Sequence, residues 1–273
     1  MTQAPHRGRV LVLAGSDSGG GAGIQADIKT ITALGGYAAT AVTAITVQNT
    51  LGVSAVHPVP LDIVEAQARA VLDDIGADAF KTGMLGDAAT VEVVARVLDS
   101  AKGVPAVIDP VMVAKGGASL LAQPAVGALK SLLVPRAALL TPNAPEAAAL
   151  TGLTVETTDD LRRAGEALLE SGAHAVLMKG GHILEGNGAG ERVVDLLITR
   201  QGETAFEGER IDTRHTHGTG CTLASACATG LAQGLTLTES VARAWNYVHQ
   251  AMLSAPGFGA GHGPLDHGWV LRR

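Results

Sequence analysis

Short apolar runs alternate along this chain with longer stretches whose apolar residues recur every three or four positions. The runs at 10–14, 40–46, 79–81, 106–108, 138–140, 175–178 and 193–199 are β-branched or aliphatic and predict strands. The stretches at 24–34, 61–73, 88–100, 124–133, 144–150, 159–170, 221–232 and 238–253 predict helices. Thr158 and Thr238 stand where N-caps are expected, and Gly152, Gly172 and Gly234 where helices should stop. Pro142 and Pro145 mark a turn into the short helix.

Repeated strand–helix alternation with nearly continuous apolar strands implies an α/β fold, a mostly parallel sheet covered on both faces. The segments after the strands then gather on one edge of the sheet, where such folds place their sites. Polar and glycine residues fall after the strands: 15–23, 48–49, 83–84, 109–111, 141–146 and 179–182. Residues 202–213 read as polar hairpin material, and the glycine-rich 257–264 as a loop at the surface or over a ligand. No linker or repeat interrupts the pattern, so one domain over 1–273 is expected, with 1–9 flexible.

With 47% hydrophobic and 17% charged residues the chain can fill a large core and is not of the disordered class. A net charge of −6 and only 3% aromatics argue against a nucleic-acid surface, so an anionic ligand needs a local site. No apolar run approaches the roughly 20 residues that span a bilayer, and no signal peptide is expected. Cys221 and Cys227, the only cysteines, lie more than one and a half turns apart on one predicted helix, too far for a disulfide. No Cys/His metal spacing occurs either. A reduced, cytoplasmic protein is expected.

The run His215-Thr-His-Gly-Thr-Gly-Cys221 opens directly into a long apolar helix. A glycine-rich helix start leaves backbone N–H groups unpaired and carries partial positive charge, so Gly218, Thr219 and Gly220 form a candidate phosphate nest. The Cys221 thiol ends the nest, where the same field favours a thiolate. The alternative is a tight helix–strand turn with a small core cysteine.

The first loop, Gly15-Ser-Asp-Ser-Gly-Gly-Gly-Ala-Gly23, invites a dinucleotide-binding reading. That reading lacks its ribose acid, since residues 28–61 hold no Asp or Glu, and no Gly-Lys-Ser/Thr follows for a Walker loop. The loop reads better as a wall beside substrate, with Asp27 as a polar contact, or as a structural turn. Asn143 and Glu146, three apart at a helix start, could hold a hydrated Mg²⁺ or simply cap the helix. Asp109 suits metal or ammonium chemistry, or a loop cap. Lys179, beside two glycines, could approach a nucleotide phosphate or lie solvated. The remaining histidines show no pattern and read as structural or exposed.

Taken in order, Ala14-Gly-Ser-Asp-Ser-Gly-Gly-Gly-Ala-Gly-Ile-Gln-Ala-Asp27, Thr46-Val-Gln-Asn-Thr50, Lys81-Thr-Gly-Met-Leu85, Asp109-Pro-Val-Met112, Leu140-Thr-Pro-Asn-Ala-Pro-Glu-Ala-Ala148, Met178-Lys-Gly-Gly-His182 and Thr216-His-Gly-Thr-Gly-Cys-Thr222 resemble one family. It is the bacterial hydroxymethylpyrimidine/phosphomethylpyrimidine kinases of thiamine biosynthesis, within the ribokinase-like superfamily. The resemblance implies a doubly wound sandwich with a small β lid. It also implies two transfers of the ATP γ-phosphoryl, to 4-amino-5-hydroxymethyl-2-methylpyrimidine and then to its monophosphate. Cys221 would be the base and the backbone of residues 218–221 the anion hole. Asn143 and Glu146 would organise Mg²⁺, with Asp109 and Lys179 near the phosphates. Gln48 would read the aminopyrimidine edge, while Gly15, Asp27, Met84 and Val111 would line the ring pocket. ATP and Mg²⁺ are the implied cofactors, with a monovalent cation a further candidate, and a homodimer the implied assembly.

A pyridoxal or pyridoxine kinase of the same fold is the nearest competing expectation, though the Gln48 and Met84 segments favour the pyrimidine. A non-catalytic vitamin-binding relative would not need Cys221, Asn143, Glu146 and Lys179 together. A dehydrogenase is weakened by the missing acid.

Overall fold

The computed structural model describes residues 7–113, 120, 123–183 and 192–272. Of the segment 1–9 expected to be flexible, residues 1–6 lie outside these, while Arg9 opens the first strand and its side chain bonds Asp78. The parallel strands are β1 (Arg9–Ala14), β2 (Tyr37–Val42), β5 (Ala79–Thr82), β6 (Ala106–Ile108), β7 (Leu139–Leu140) and β8 (Ala175–Met178). With β9 (Arg192–Thr199) and β10 (Gly202–Glu209) they form one sheet in the order β10-β9-β8-β7-β6-β5-β1-β2. β9 runs antiparallel to both its neighbours. Residues 202–209, read as hairpin material, are thus a true edge strand, and its side chains are mostly exposed and polar, as an unpaired edge requires.

Alternate residues of each central strand enter separate cores. Leu11, Leu13, Ile108, Leu140 and Val176 pack on one face, where Val91, Leu133, Leu161 and Leu168 meet them. Val10, Val12, Val107, Leu139 and Leu177 pack on the other, against Ile31, Leu223, Cys227 and Val241. Helices α1 (Gly23–Ala33), α7 (Thr219–Ala232) and α8 (Leu237–Leu253) cover this second face. On the first face lie α2 (Leu61–Asp74), α3 (Ala88–Ser100), α4 (Gln123–Ala128), α5 (Ala144–Thr151) and α6 (Thr158–Glu170). The mostly parallel sheet covered on both faces, expected from periodicity, is observed, and its winding is the doubly wound one that the resemblance implies.

Three local expectations need correction. The run 40–46 is not one strand. It breaks at Thr43, whose N–H bonds the Ala14 carbonyl (3.0 Å) and whose hydroxyl donates to the Met84 carbonyl (2.7 Å). Beyond the break, β3 (Ala44–Asn49) leaves the main sheet and pairs antiparallel with β4 (Gly52–Pro58), a small second sheet. The cap of α6 is Thr157, not Thr158, and that of α8 is Thr236, not Thr238. In each case the chosen threonine has an acid three residues on, Asp160 or Glu239, that completes a reciprocal capping box. Finally, 124–133 is α4 followed by a π-helical turn, Leu129–Leu133. Gly152 (φ +78°), Gly172 and Gly234 do end their helices with positive φ.

Strand order reverses between β1 and β5, because the chain winds one way to β2 and the other way from β5 to β8. The crevice beyond the carboxyl ends of strands at such a point is where open α/β sheets bind ligands.

Candidate active site

Helix α7 begins at that crevice. Its N-cap, Gly218, has φ +88° and no side-chain cap, so the first-turn amides of Gly220 and Cys221 stay available to a ligand. Only glycine fits at 218, because a Cβ there would stand 1.8 Å from the Gly21 carbonyl oxygen of the first loop. A Cβ on Gly220 would stand 3.3 Å from Lys179 Nζ and 3.6 Å from Asp109 Oδ2, so the nest opens onto these two charges.

Two cavities meet at this helix start. One of about 590 Å³ is lined by Gly15, Gln48, Met84, Val111, Asp109, Asn143, Glu146 and the 218–221 turn. The other, of about 650 Å³, is lined by Val193, Asp195, Trp245, Val248, His249 and Met252. Lys179, Gly181, His182, Thr216, Thr219 and Gly220 line both. The β3–β4 sheet brings Gln48 to the first cavity, as a lid would. The 257–264 loop does not cover the second. It is tied to the β3–β4 turn through the His262 N–H and the Thr50 carbonyl (2.9 Å), and to the nest through the His217 N–H and the Gly263 carbonyl (3.2 Å).

Lys179 Nζ lies 3.1 Å from Asp109 Oδ1 and 3.7 Å from Glu146 Oε2. Burial opposes its charge, but Asp109 and Glu146 outweigh burial and hold the ammonium protonated. Burial raises the Glu146 carboxyl, opposed by Lys179. Asn143 and Glu146 form a capping box, each side chain bonded to the other's backbone N–H at 2.9 and 2.8 Å. The capping reading is therefore correct as structure, and it leaves the metal reading open, because Glu146 Oε1 is not spent on the cap. Among the described residues no three His, Cys, Asp or Glu side chains gather as a protein-only metal site. Two carboxylates around one ammonium suit instead a Mg²⁺ that arrives with phosphate and takes few protein ligands.

Two expectations fail on burial. The field of the helix start alone favours a Cys221 thiolate, but burial pushes the thiol up to about 11, with Asp27 and Asp109 adding to the rise and Lys81 pulling against it. Asp27 does not line the ring cavity: it is wholly buried, with Oδ1 accepting from Lys81 Nζ (2.8 Å) and Ser225 Oγ (2.7 Å). Lys81, which does reach the cavity wall, was not singled out by sequence reasoning, since a strand lysine signals nothing until its partner is known. Nor are all remaining histidines bland. His217 Nε2 lies 2.7 Å from Asp17 Oδ2 and 3.3 Å from Gln48 Nε2, and His267 is buried against Thr222 Oγ1 (3.0 Å), its pKa lowered to about 4 by burial.

The phosphomethylpyrimidine kinase family model matches residues 17–266. The Bacillus subtilis hydroxymethylpyrimidine/phosphomethylpyrimidine kinase is 46% identical over 95% of this chain and 94% of its own length. The thiamine biosynthesis bifunctional protein of Geobacter sulfurreducens is 50% identical over 96% of this chain, which spans 52% of that longer protein. Among solved structures, a Clostridium difficile phosphomethylpyrimidine kinase aligns with TM-score 0.78 and 39% identity, over 89% of this chain and 98% of its own. An ADP complex of Bacillus subtilis pyridoxal kinase aligns with TM-score 0.88 and 36% identity, over 97% and 98%. With the family model matching most of its length and curated relatives of this identity and coverage, the chain belongs to the phosphomethylpyrimidine kinase family.

Proposed function

We propose that this chain moves the γ-phosphoryl of ATP onto the 5-hydroxymethyl group of 4-amino-5-hydroxymethyl-2-methylpyrimidine, and then phosphorylates that product to the diphosphate, in thiamine biosynthesis. The observation that carries the reading is the meeting of two cavities at one phosphate nest. Nucleotide in the Trp245 cavity and a small ring in the Met84 cavity would face each other across Gly218–Cys221 and Lys179.

Phosphoryl transfer depends on alignment and on neutralising charge. The Gly220 and Cys221 amides and the Lys179 ammonium meet the migrating group. Asn143, Glu146 and Asp109 would hold Mg²⁺, which neutralises phosphate charge. Cys221 can take the hydroxyl proton only through the small thiolate fraction that Lys81 sustains against burial; that thiolate becomes the thiol as the alcohol oxygen bonds phosphorus late in a loose transition state. Gly15, Met84 and Val111 form the apolar walls of the ring site, and Gln48 supplies its hydrogen bonds.

The fit to pyridoxal kinase supports a second reading, phosphorylation of pyridoxal in the same cavity. Curated relatives at 44–49% identity are named for the pyrimidine, which favours the first. A homodimer accounts for the exposed apolar side chains Ile45, Val47 and Val56 on the β3–β4 sheet. Two unpaired thiols fit a reducing cytoplasm, and among the described residues no helix is long and apolar enough to cross a membrane. The test is a coupled assay with ATP, Mg²⁺ and hydroxymethylpyrimidine that separates mono- and diphosphate products. ATP turnover that ignores the pyrimidine and follows pyridoxal would replace the first reading with the second.

A further inference from the structure

Asp109 and Thr141 follow β6 and β7, two parallel strands that pair Ile108 with Leu140. The Thr141 N–H continues that ladder to the Ile108 carbonyl (3.0 Å), which sets Thr141 directly beside Asp109. Lys179 follows β8, and its N–H bonds the Pro142 carbonyl (2.9 Å), which brings its ammonium to the same carboxylate. Thr141 is wholly buried, and its hydroxyl makes one hydrogen bond, to Asp109.

Hydrogen counting shows how the carboxylate is divided. An ammonium can only donate, a hydroxyl has one hydrogen to give, and each carboxylate oxygen has room for two donors. Asp109 Oδ1 takes both, from Thr141 Oγ1 (3.1 Å) and from Lys179 Nζ (3.1 Å). Among the described residues Oδ2 takes none. It is also the oxygen nearer the nest: a Cβ on Gly220 would stand 3.6 Å from Oδ2 and 4.0 Å from Oδ1. Glu146 is divided in the same way. Its Oε2 accepts the Asn143 N–H (2.8 Å) and lies 3.7 Å from Lys179 Nζ, while Oε1 is not spent on the cap. Each carboxylate thus gives one oxygen to the scaffold and keeps the other for a ligand.

We propose that Thr141 is a positioning residue for Mg²⁺: its hydroxyl pins Asp109 Oδ1 and so keeps Oδ2 turned to the nest, where the metal arrives with the nucleotide. The ammonium cannot do this alone. Its three hydrogens follow whichever oxygen is nearer, so without the hydroxyl the carboxylate is free to turn about its last bond and offer both oxygens to Lys179. Oδ2 would then be drawn into the ion pair and lost to the metal. Thr141 lines neither cavity and acts only through Asp109. Removing a group that orients a metal-ligating carboxylate costs about 10–100-fold in metal affinity. The inference deepens the kinase reading above and rests on it.

The test compares wild type, Thr141→Val, Thr141→Ser and Asp109→Asn. Binding of the non-hydrolysable analogue β,γ-methylene-ATP is measured by titration calorimetry, once with Mg²⁺ and once with EDTA, so that the ratio of the two affinities reads the metal's contribution without any turnover. Thr141→Val is expected to weaken binding about tenfold or more with Mg²⁺. With EDTA it should change binding less than about threefold, because the hydroxyl serves only the metal's ligand. The Mg²⁺ concentration for half-maximal activity should rise about tenfold in step, with kcat at saturating Mg²⁺ largely kept. Thr141→Ser, which returns the hydroxyl, should restore most of the Mg²⁺ effect. Thr141→Ala removes the same hydrogen and answers the question if the valine variant fails to fold. In an Asp109→Asn background Thr141→Val should cost less than about twofold, because the coupling has lost its carrier. Equal losses with Mg²⁺ and with EDTA, a serine variant no better than valine, or full additivity with Asp109→Asn would overturn the proposal. A wild-type enzyme that binds the analogue with Mg²⁺ yet phosphorylates no aminopyrimidine would instead overturn the proposed function.

Discussion

Lys81 and Asp27 make the clearest energetic test of this site. Both side chains are wholly buried, and Nζ sits 2.8 Å from Oδ1. Oδ1 also accepts from Ser225, while Oδ2 has no partner. Lys81→Met would leave a buried carboxylate facing a single hydroxyl, and breaking a buried pair this way costs about 3–5 kcal/mol. Protonation offsets the cost. Burial already raises the Asp27 pKa, and losing the ammonium raises it further. A carboxyl whose folded pKa exceeds its unfolded value contributes stability at low pH and loses it as pH rises through the folded value. The variant should therefore be less impaired at pH 5 than at pH 8, as measured by urea unfolding followed by circular dichroism. Replacing both partners, Asp27→Leu with Lys81→Met, should recover most of the stability, since an apolar pair of similar volume needs no compensation. Activity should not return with it, because the double variant still lacks the ammonium that draws the Cys221 thiol down. A single-variant loss below about 1 kcal/mol at both pH values, or a double variant no more stable than the single, would refute the reasoning.

Four further outcomes follow from the same geometry. Glu146→Gln keeps an acceptor for the Asn143 N–H, so stability should change by less than about 1 kcal/mol, while the Mg²⁺ concentration for half-maximal activity rises about tenfold or more; parallel losses in both would leave only the capping role. Cys221→Ala should slow the first phosphorylation far more than the second in single-turnover assays, because the phosphate acceptor of the second step is already ionised near neutral pH. Wild-type Cys221 should be alkylated by iodoacetamide at rates rising about tenfold per pH unit from 7 to 9 with no plateau, given a thiol near 11. Asp195→Asn should remove a stability loss that wild type shows as pH rises from about 4 toward 6, because burial pushes this carboxyl up to about 6 against the Gly180 N–H, Lys179 and Trp245; an unchanged slope would argue against that burial effect.

Much of this architecture could be read from local pattern. Strands 106–108 and 175–178 and the helix ends at Gly152, Gly172 and Gly234 are visible because a strand's period or a positive φ depends on residues close in sequence. The nest at Gly218–Cys221 was legible for the same reason. The caps were nearly legible, since the choice of Thr157 and Thr236 follows from an acid three residues on.

What chain order alone could not decide is which surfaces meet. Thr43 breaks a run of continuous β propensity because the Ala14 and Met84 backbones reach it from other strands. Asp27 leaves the ring wall for Lys81, 54 residues away, and Asp17 is claimed by His217, 200 residues away. Cys221 carries the field that a helix start supplies, yet burial beside Asp27 and Asp109 outweighs it. Local propensity is set within a few covalent bonds and survives in the sequence. Desolvation and charge pairing belong to the packed core, and they come into being only when distant strands and helices close around the same point.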